Sequence, residues 1–130
     1  MKILNVHNCI VRGLRLKKEC GVTRRSISNA KILNKKMLLD RATLHFYDTN
    51  DCRLHTEWTG FDGGQDVFFS WDFTGLSAGY CGEGSRGLIE VLELLDIPVS
   101  RDGVFNLKRG VHRLFKSGEE PVRILEKVTA

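Results

Sequence analysis

The stretch TLHFYDTNDCRLHTEWTGFDGGQDVFFSWDF, residues 43–73, decides the fold. Leu44 and Phe46 fall on one side of an extended chain, and Leu54, Thr56 and Trp58 do so on the next run. Val67, Phe69, Trp71 and Phe73 then alternate with Phe68, Ser70 and Asp72, the pattern of a half-buried strand. Thr49-Asn50-Asp51 and Phe61-Asp62-Gly63-Gly64 separate the runs with residues that favour turns. Three period-two runs with short turns between them predict an antiparallel meander with one face buried.

Downstream the period changes. Leu88, Val91, Leu92 and Leu95 form one helical stripe, with Glu90 and Glu93 off it and Pro98 as the stop. A second helix is expected from Asp102, as N-cap, to just before Gly118, burying Val104, Leu107, Val111, Leu114 and Phe115. Gly110 inside it costs about 1 kcal/mol relative to Ala. VRILEKV, residues 122–128, reads as a last edge strand. Upstream, Ile3 to Leu16 reads as one or two strands. Between Lys17 and Leu39, Ile27, Ala30, Leu33 and Met37 lie at helical spacing, which Asn29 and Asn34 weaken. The expected fold is α+β, a single domain over residues 1–130: an antiparallel meander with two C-terminal helices packed on one face.

Composition sets the class. With 42% apolar and 28% charged residues, neither a disordered nor a membrane chain is favoured. No apolar run nears the roughly 20 residues of a bilayer span. Asn5, His7, Asn8 and Arg12 interrupt the N-terminal apolar residues, which does not fit a signal peptide. The expectation is a cytoplasmic protein with Cys9, Cys20, Cys52 and Cys81 reduced.

GYCGEGSRGLIEVLELL, residues 79–95, carries the letters G-x-G-x-x-G at Gly82, Gly84 and Gly87. A dinucleotide fingerprint needs a strand running straight into the first glycine. Here eight residues intervene after Phe73, and only 28 follow Asp102, the acid at the ribose-binding spacing. A P-loop needs Lys-Ser/Thr where Ser85-Arg86 stands. A cysteine-phosphatase loop needs five residues between Cys and Arg, and Cys81 and Arg86 have four between them. What remains is an anion site at a helix entrance, built from Gly82, Gly84, Ser85, Arg86 and Gly87. Its alternative is a tight strand-to-helix connection.

Charge is segregated along the chain. Residues 1–41 hold eleven Lys and Arg against Glu19 and Asp40, a balance of +9. Residues 42–96 balance at −8 and residues 97–130 at +3. Such segregation points to an anion-facing end, or to basic and acidic segments that pair in the fold. Gly21-Val22-Thr23-Arg24-Arg25-Ser26-Ile27-Ser28 resembles the turn and recognition helix of lac-repressor-type helix-turn-helix proteins, over about residues 14–31. The resemblance implies a first helix containing Leu16, Thr23 as cap, and Arg24, Arg25, Ser26 and Asn29 facing DNA. Lys17 departs from it, standing where such motifs have a small residue. On the second C-terminal helix, Lys108, Arg109, His112, Arg113 and Lys116 would share one face with Phe105, suited to phosphates and a stacked base.

The expected function is non-enzymatic binding of phosphate-bearing ligands, with no catalytic residue, metal or cofactor assigned. Nucleic acid is the first reading, through Arg24, Arg25, Ser26, Asn29, Lys31, Lys35, Lys108 and Lys116. A nucleotide held by the Gly82–Gly87 loop with Phe105, Arg109 and Arg113 is the second. A protein-interaction module, including self-association, is the third.

Overall fold

A computed structural model describes residues 2–3, 10–11, 14–62 and 64–118. The expected meander is its centre: β4 (Leu38–Phe46), β5 (Asp51–Asp62) and β6 (Gln65–Ser77), each antiparallel to the next. β1 (Lys2–Ile3) joins β6 in parallel, and β7 (Gly110–Leu114) joins β4 antiparallel, giving the order β1-β6-β5-β4-β7. β2 (Ile10–Val11) and β3 (Leu14–Arg15) form a separate two-stranded ribbon. The period-two reading holds: Leu44, Phe46, Leu54, Trp58, Phe69 and Phe73 are fully buried on one face. Two polar groups go in with them and are satisfied there. Trp58 Nε1 donates to Thr56 Oγ1 at 2.7 Å, and that hydroxyl donates to Trp71 O at 2.7 Å.

Helices cover that face. α1 (Thr23–Lys36) buries Ser26, Asn29, Ala30 and Leu33, which resolves the middle of the ambiguous stretch as helix, while its last residues, Leu38 and Leu39, open β4. α2 (Glu83–Leu94) buries Leu88, Val91 and Leu92, and α1 packs against it. No helix among the described residues is long and apolar enough to cross a membrane.

The second C-terminal helix is much shorter than its apolar pattern predicts. α3 spans only Arg101–Phe105, and its cap is Ser100, whose Oγ accepts from Gly103 N at 2.9 Å. Gly110 has φ +144°, outside the helical region, and Val111 to Leu114 continue as β7. The sequence V-H-R-L fits both periods. Pairing of residues 110–114 with Phe46 to Ala42 selects period two, placing His112 and Leu114 in the core. Residues 122–128 lie outside the described residues.

One irregularity in the sheet organises much of the rest. Cys52 pairs with Leu76 and Leu54 with Phe73, so Arg53 faces two residues, Thr74 and Gly75. This β-bulge leaves backbone groups that β5 cannot pair. The segment before and inside α1 satisfies them. Thr74 N donates to Glu19 Oε1 at 2.8 Å, Gly75 N to Ser26 Oγ at 2.9 Å, and Thr23 Oγ1 to Gly75 O at 2.6 Å. Glu19, 4% exposed, also accepts from Ser26 Oγ, from Asn29 Nδ2 at 2.9 Å and from Trp71 Nε1 at 2.6 Å. Four donors therefore converge on one buried carboxylate, which ties the chain before α1, the helix and β6 together.

Candidate nucleic-acid interface

α1 is amphipathic in an uneven way. Its sequence, TRRSISNAKILNKK, holds five cations and no acid. Arg24, Ser28, Lys31 and Lys35 recur at steps of four, three and four residues, which places them in one stripe, and the three cations are exposed. Arg25 is exposed as well, its guanidinium donating to Lys18 O at 3.0 Å. Lys17, Lys18 and Lys36 extend the basic surface at either end. The ion pairs between described residues join Arg53, His55, Glu57 and Asp72 on the sheet, and none reaches α1. Direct contact with the acidic middle segment therefore does not neutralise this helix.

Placement of the first turn adds to the point. Arg24 and Arg25 stand at the helix N-terminus, where the macrodipole disfavours a cation by about 0.3–1 kcal/mol. Arg24 has no hydrogen-bond or ion-pair partner among the described residues, so the fold gains nothing visible from its charge.

Two of the expected contacts are overturned. Ser26 and Asn29 are completely buried and turned toward Glu19, so neither faces a ligand. Asn29 also brackets Lys17, accepting from its N–H and donating to its carbonyl, both at 2.7 Å. The helix-turn-helix resemblance loses its first helix, because Leu14–Arg15 is a strand and residues 16–19 have no regular structure. The residues that suggested the motif are used to hold the bulge instead. Gly21 has φ +75° and its N–H lies 3.3 Å from Thr74 Oγ1; Thr23 and Ser26 bind Gly75.

The C-terminal basic set does not share a helical face. Lys108 and Arg109 precede β7, Arg113 lies on it and Lys116 follows it. Arg109 reaches back across the sheet end, donating to Tyr47 O and Thr49 O, both at 2.6 Å, with its guanidinium 4.8 Å from the Phe46 ring centroid. It clamps the β4–β5 turn. Arg113 is exposed over Phe115, at 5.1 Å, while Phe105 is half-buried against the core. His112 is 1% exposed, its Nε2 2.8 Å from Lys108 O.

At the glycine loop, Gly84, Ser85 and Gly87 are buried, whereas Arg86 is exposed with Nη1 3.7 Å from Cys81 Sγ. A Cβ at Gly84 would overlap Ser77, and one at Gly87 would overlap Thr23 of α1. Close packing of α2 on β6 and α1 thus accounts for both residues. Gly82 lies against the Tyr80 ring as the N-cap of α2.

The opposite face of the sheet carries a polar cluster whose carboxylates, Glu57 and Asp72, no motif singled out. His55 Nδ1 lies 2.6 Å from Asp72 Oδ1 and its Nε2 3.3 Å from Glu57 Oε2; Arg53 Nε is 4.0 Å from Asp72 Oδ2. His45 shares this face. Partial burial, then the neighbouring Arg53 and His55, hold its pKa below the usual 6.5 against an opposing pull from Asp72. The signal was present in the alternation: these residues occupy the positions between the apolar ones. Cys52 lies on the buried face, away from His55, and burial together with Asp51 pushes its thiol up to about 12. Among the described residues no three His, Cys, Asp or Glu converge as metal ligands.

Comparison with known proteins gives no significant match to a family model, a curated protein or a solved structure.

Proposed function

We propose that this protein binds nucleic acid through the exposed face of α1, holding the phosphate backbone with Arg24, Lys31 and Lys35, flanked by Arg25 and Lys36. One observation carries the reading: these cations stand on a helix without acids, unpaired with any described carboxylate, while the opposite side is fixed to the core. Phosphates would supply the partner charge that the fold does not, and release of their condensed counterions would favour the complex. Contacts from lysine and arginine to phosphates position a protein without reading bases, so binding through this face is largely independent of sequence. Arg24→Glu/Lys31→Glu/Lys35→Glu alters only exposed positions and leaves Ser26, Asn29 and Leu33 in place. At low salt, fluorescence anisotropy of a labelled 20-base-pair duplex should show saturable binding by the wild type. The triple variant should bind at least about a hundredfold more weakly, a loss of about 2.7 kcal/mol spread over three phosphate contacts. Equal binding by the two proteins removes α1 from the account.

A further inference from the structure

The β4–β5 turn and the bulge of β6 enclose an open cleft of about 430 Å³ that includes His45, Tyr47, Asp48, Asp51, Arg53 and Thr74 in its lining. That volume lies in the range of small-ligand sites, about 300–1,000 Å³. The bulge makes room for it by setting two residues of β6 opposite Arg53.

The walls of the cleft are preformed. Arg109 pins the carbonyls of Tyr47 and Thr49, and Asn50 Nδ2 donates to Ala78 O at 3.0 Å. Glu19 and Ser26 hold the bulge from the helix side through Thr74 N and Gly75 N. A site fixed in this way loses little order when it closes on a ligand.

Its chemistry is specific. The Tyr47 ring is half exposed, and no described residue hydrogen-bonds its side chain. Arg53 meets Asp72 only through Nε, at 4.0 Å, which leaves its two terminal nitrogens without a partner among the described residues. Asp48 accepts no hydrogen bond from a described residue, and Asp51 accepts only a long one from Ser77 Oγ, at 3.4 Å. One guanidinium against two carboxylates disfavours a bare anion. The set suits a flat ligand with acceptors on one edge and paired donors on another. Guanine has that pattern: O6 and N7 accept from an arginine fork, while N1–H and the exocyclic amine donate to carboxylate. Adenine lacks the N1–H and places an amine where Arg53 needs an acceptor.

We propose that this cleft binds a single unstacked guanine base, with Tyr47 against its face, Arg53 on its O6/N7 edge and Asp48 and Asp51 taking its N1–H and amine protons. Two sources supply such a base: a free guanine nucleotide, or a guanine turned out of a single strand. The inference is independent of the α1 reading, since His45 and Arg53 lie on the face of the sheet away from that helix.

Calorimetric titration of the full chain with 5′-GMP, 5′-AMP, and the RNA pentamers AAGAA and AAAAA tests it. The expected result is guanine over adenine by at least about tenfold, the discrimination of a bidentate contact. Tyr47→Ala and Arg53→Ala should each weaken guanine binding by about tenfold, in line with the loss of one stacking or bidentate contact. Tyr47 and Arg53 are at least half exposed, so their thermal melts, matching the wild type, show that both variants fold. The Arg24/Lys31/Lys35→Glu variant should bind 5′-GMP as the wild type does. Tight GMP with a weak AAGAA pentamer identifies a free nucleotide as the ligand, and the reverse identifies a strand; either supports the guanine site. No saturation by GMP or AAGAA at millimolar concentration overturns it. So does equal affinity for GMP and AMP together with equal affinity for AAGAA and AAAAA, or affinity unchanged in both Tyr47→Ala and Arg53→Ala.

Discussion

Glu19→Ala is the most informative change in the interior. The carboxylate accepts from Ser26 Oγ, Asn29 Nδ2, Trp71 Nε1 and Thr74 N. Asn29 still donates to Lys17 O. Ser26 Oγ still accepts from Gly75 N, but its own O–H loses its acceptor. Trp71 Nε1 and the Ser26 hydroxyl have no replacement among the described residues and become buried orphans, while Thr74 N loses its acceptor on an exposed residue. Each costs about 1–3 kcal/mol, so the pair alone gives about 2–6 kcal/mol, and lost packing adds to it. Small domains are stable by only about 5–15 kcal/mol, so this single change takes a large share of the total. Glu19→Gln keeps the volume but turns an amide N–H₂ toward donors, and about 2–3 kcal/mol is expected for that conflict. Urea unfolding followed by tryptophan fluorescence measures both variants. With a slope of about 1–3 kcal/mol per molar, a loss of about 4 kcal/mol moves the midpoint down by about 1.3–4 M. If both variants lose under about 1 kcal/mol, Glu19 is not the tie between helix and bulge.

Two further changes probe other parts of the same frame. Gly84→Ala places a methyl against Ser77 and should destabilise the protein by about 1–3 kcal/mol in thermal or urea melts, although alanine is the better helix former. A gain in stability would mean that the glycine is not there for close packing. For His45, whose folded pKa lies below 6.5, the unfolded chain binds more protons in the window just below that value, so stability is lost there as the pH falls. Urea midpoints measured from pH 7.5 to 5 should therefore drop more in the wild type than in His45→Gln; parallel curves contradict the shift.

The meander was readable because the half-buried strands write their burial directly into alternation, as Val67, Phe69, Trp71 and Phe73 do. α2 was readable for the same reason at period 3.6, through Leu88, Val91 and Leu92. β7 was not, since V-H-R-L satisfies both periods and only its partner strand decides. Glu19 was hidden more deeply. Its partners, Trp71 and Thr74, are 52 and 55 residues away, and no local pattern announces a carboxylate that long-range donors will bury. The same contacts explain why Gly21-Val22-Thr23 and Ser26 imitated a DNA-binding turn: a tight turn with a hydroxyl-bearing helix start serves a β-bulge as well as it serves a groove. Of the expected phosphate contacts, Arg24, Arg25, Lys31 and Lys35 are where the helical period puts them, exposed and on the outer side of α1.

The central claim, that α1 binds a nucleic-acid backbone by charge, is tested most directly by the salt dependence of binding. Anisotropy titrations of the duplex between about 50 and 200 mM salt should give a log–log slope of about −3 to −4.5, the counterion release of three to five phosphate contacts. The Arg24/Lys31/Lys35→Glu variant should lose the binding and the slope together. A wild-type affinity that stays level across that range would contradict the account.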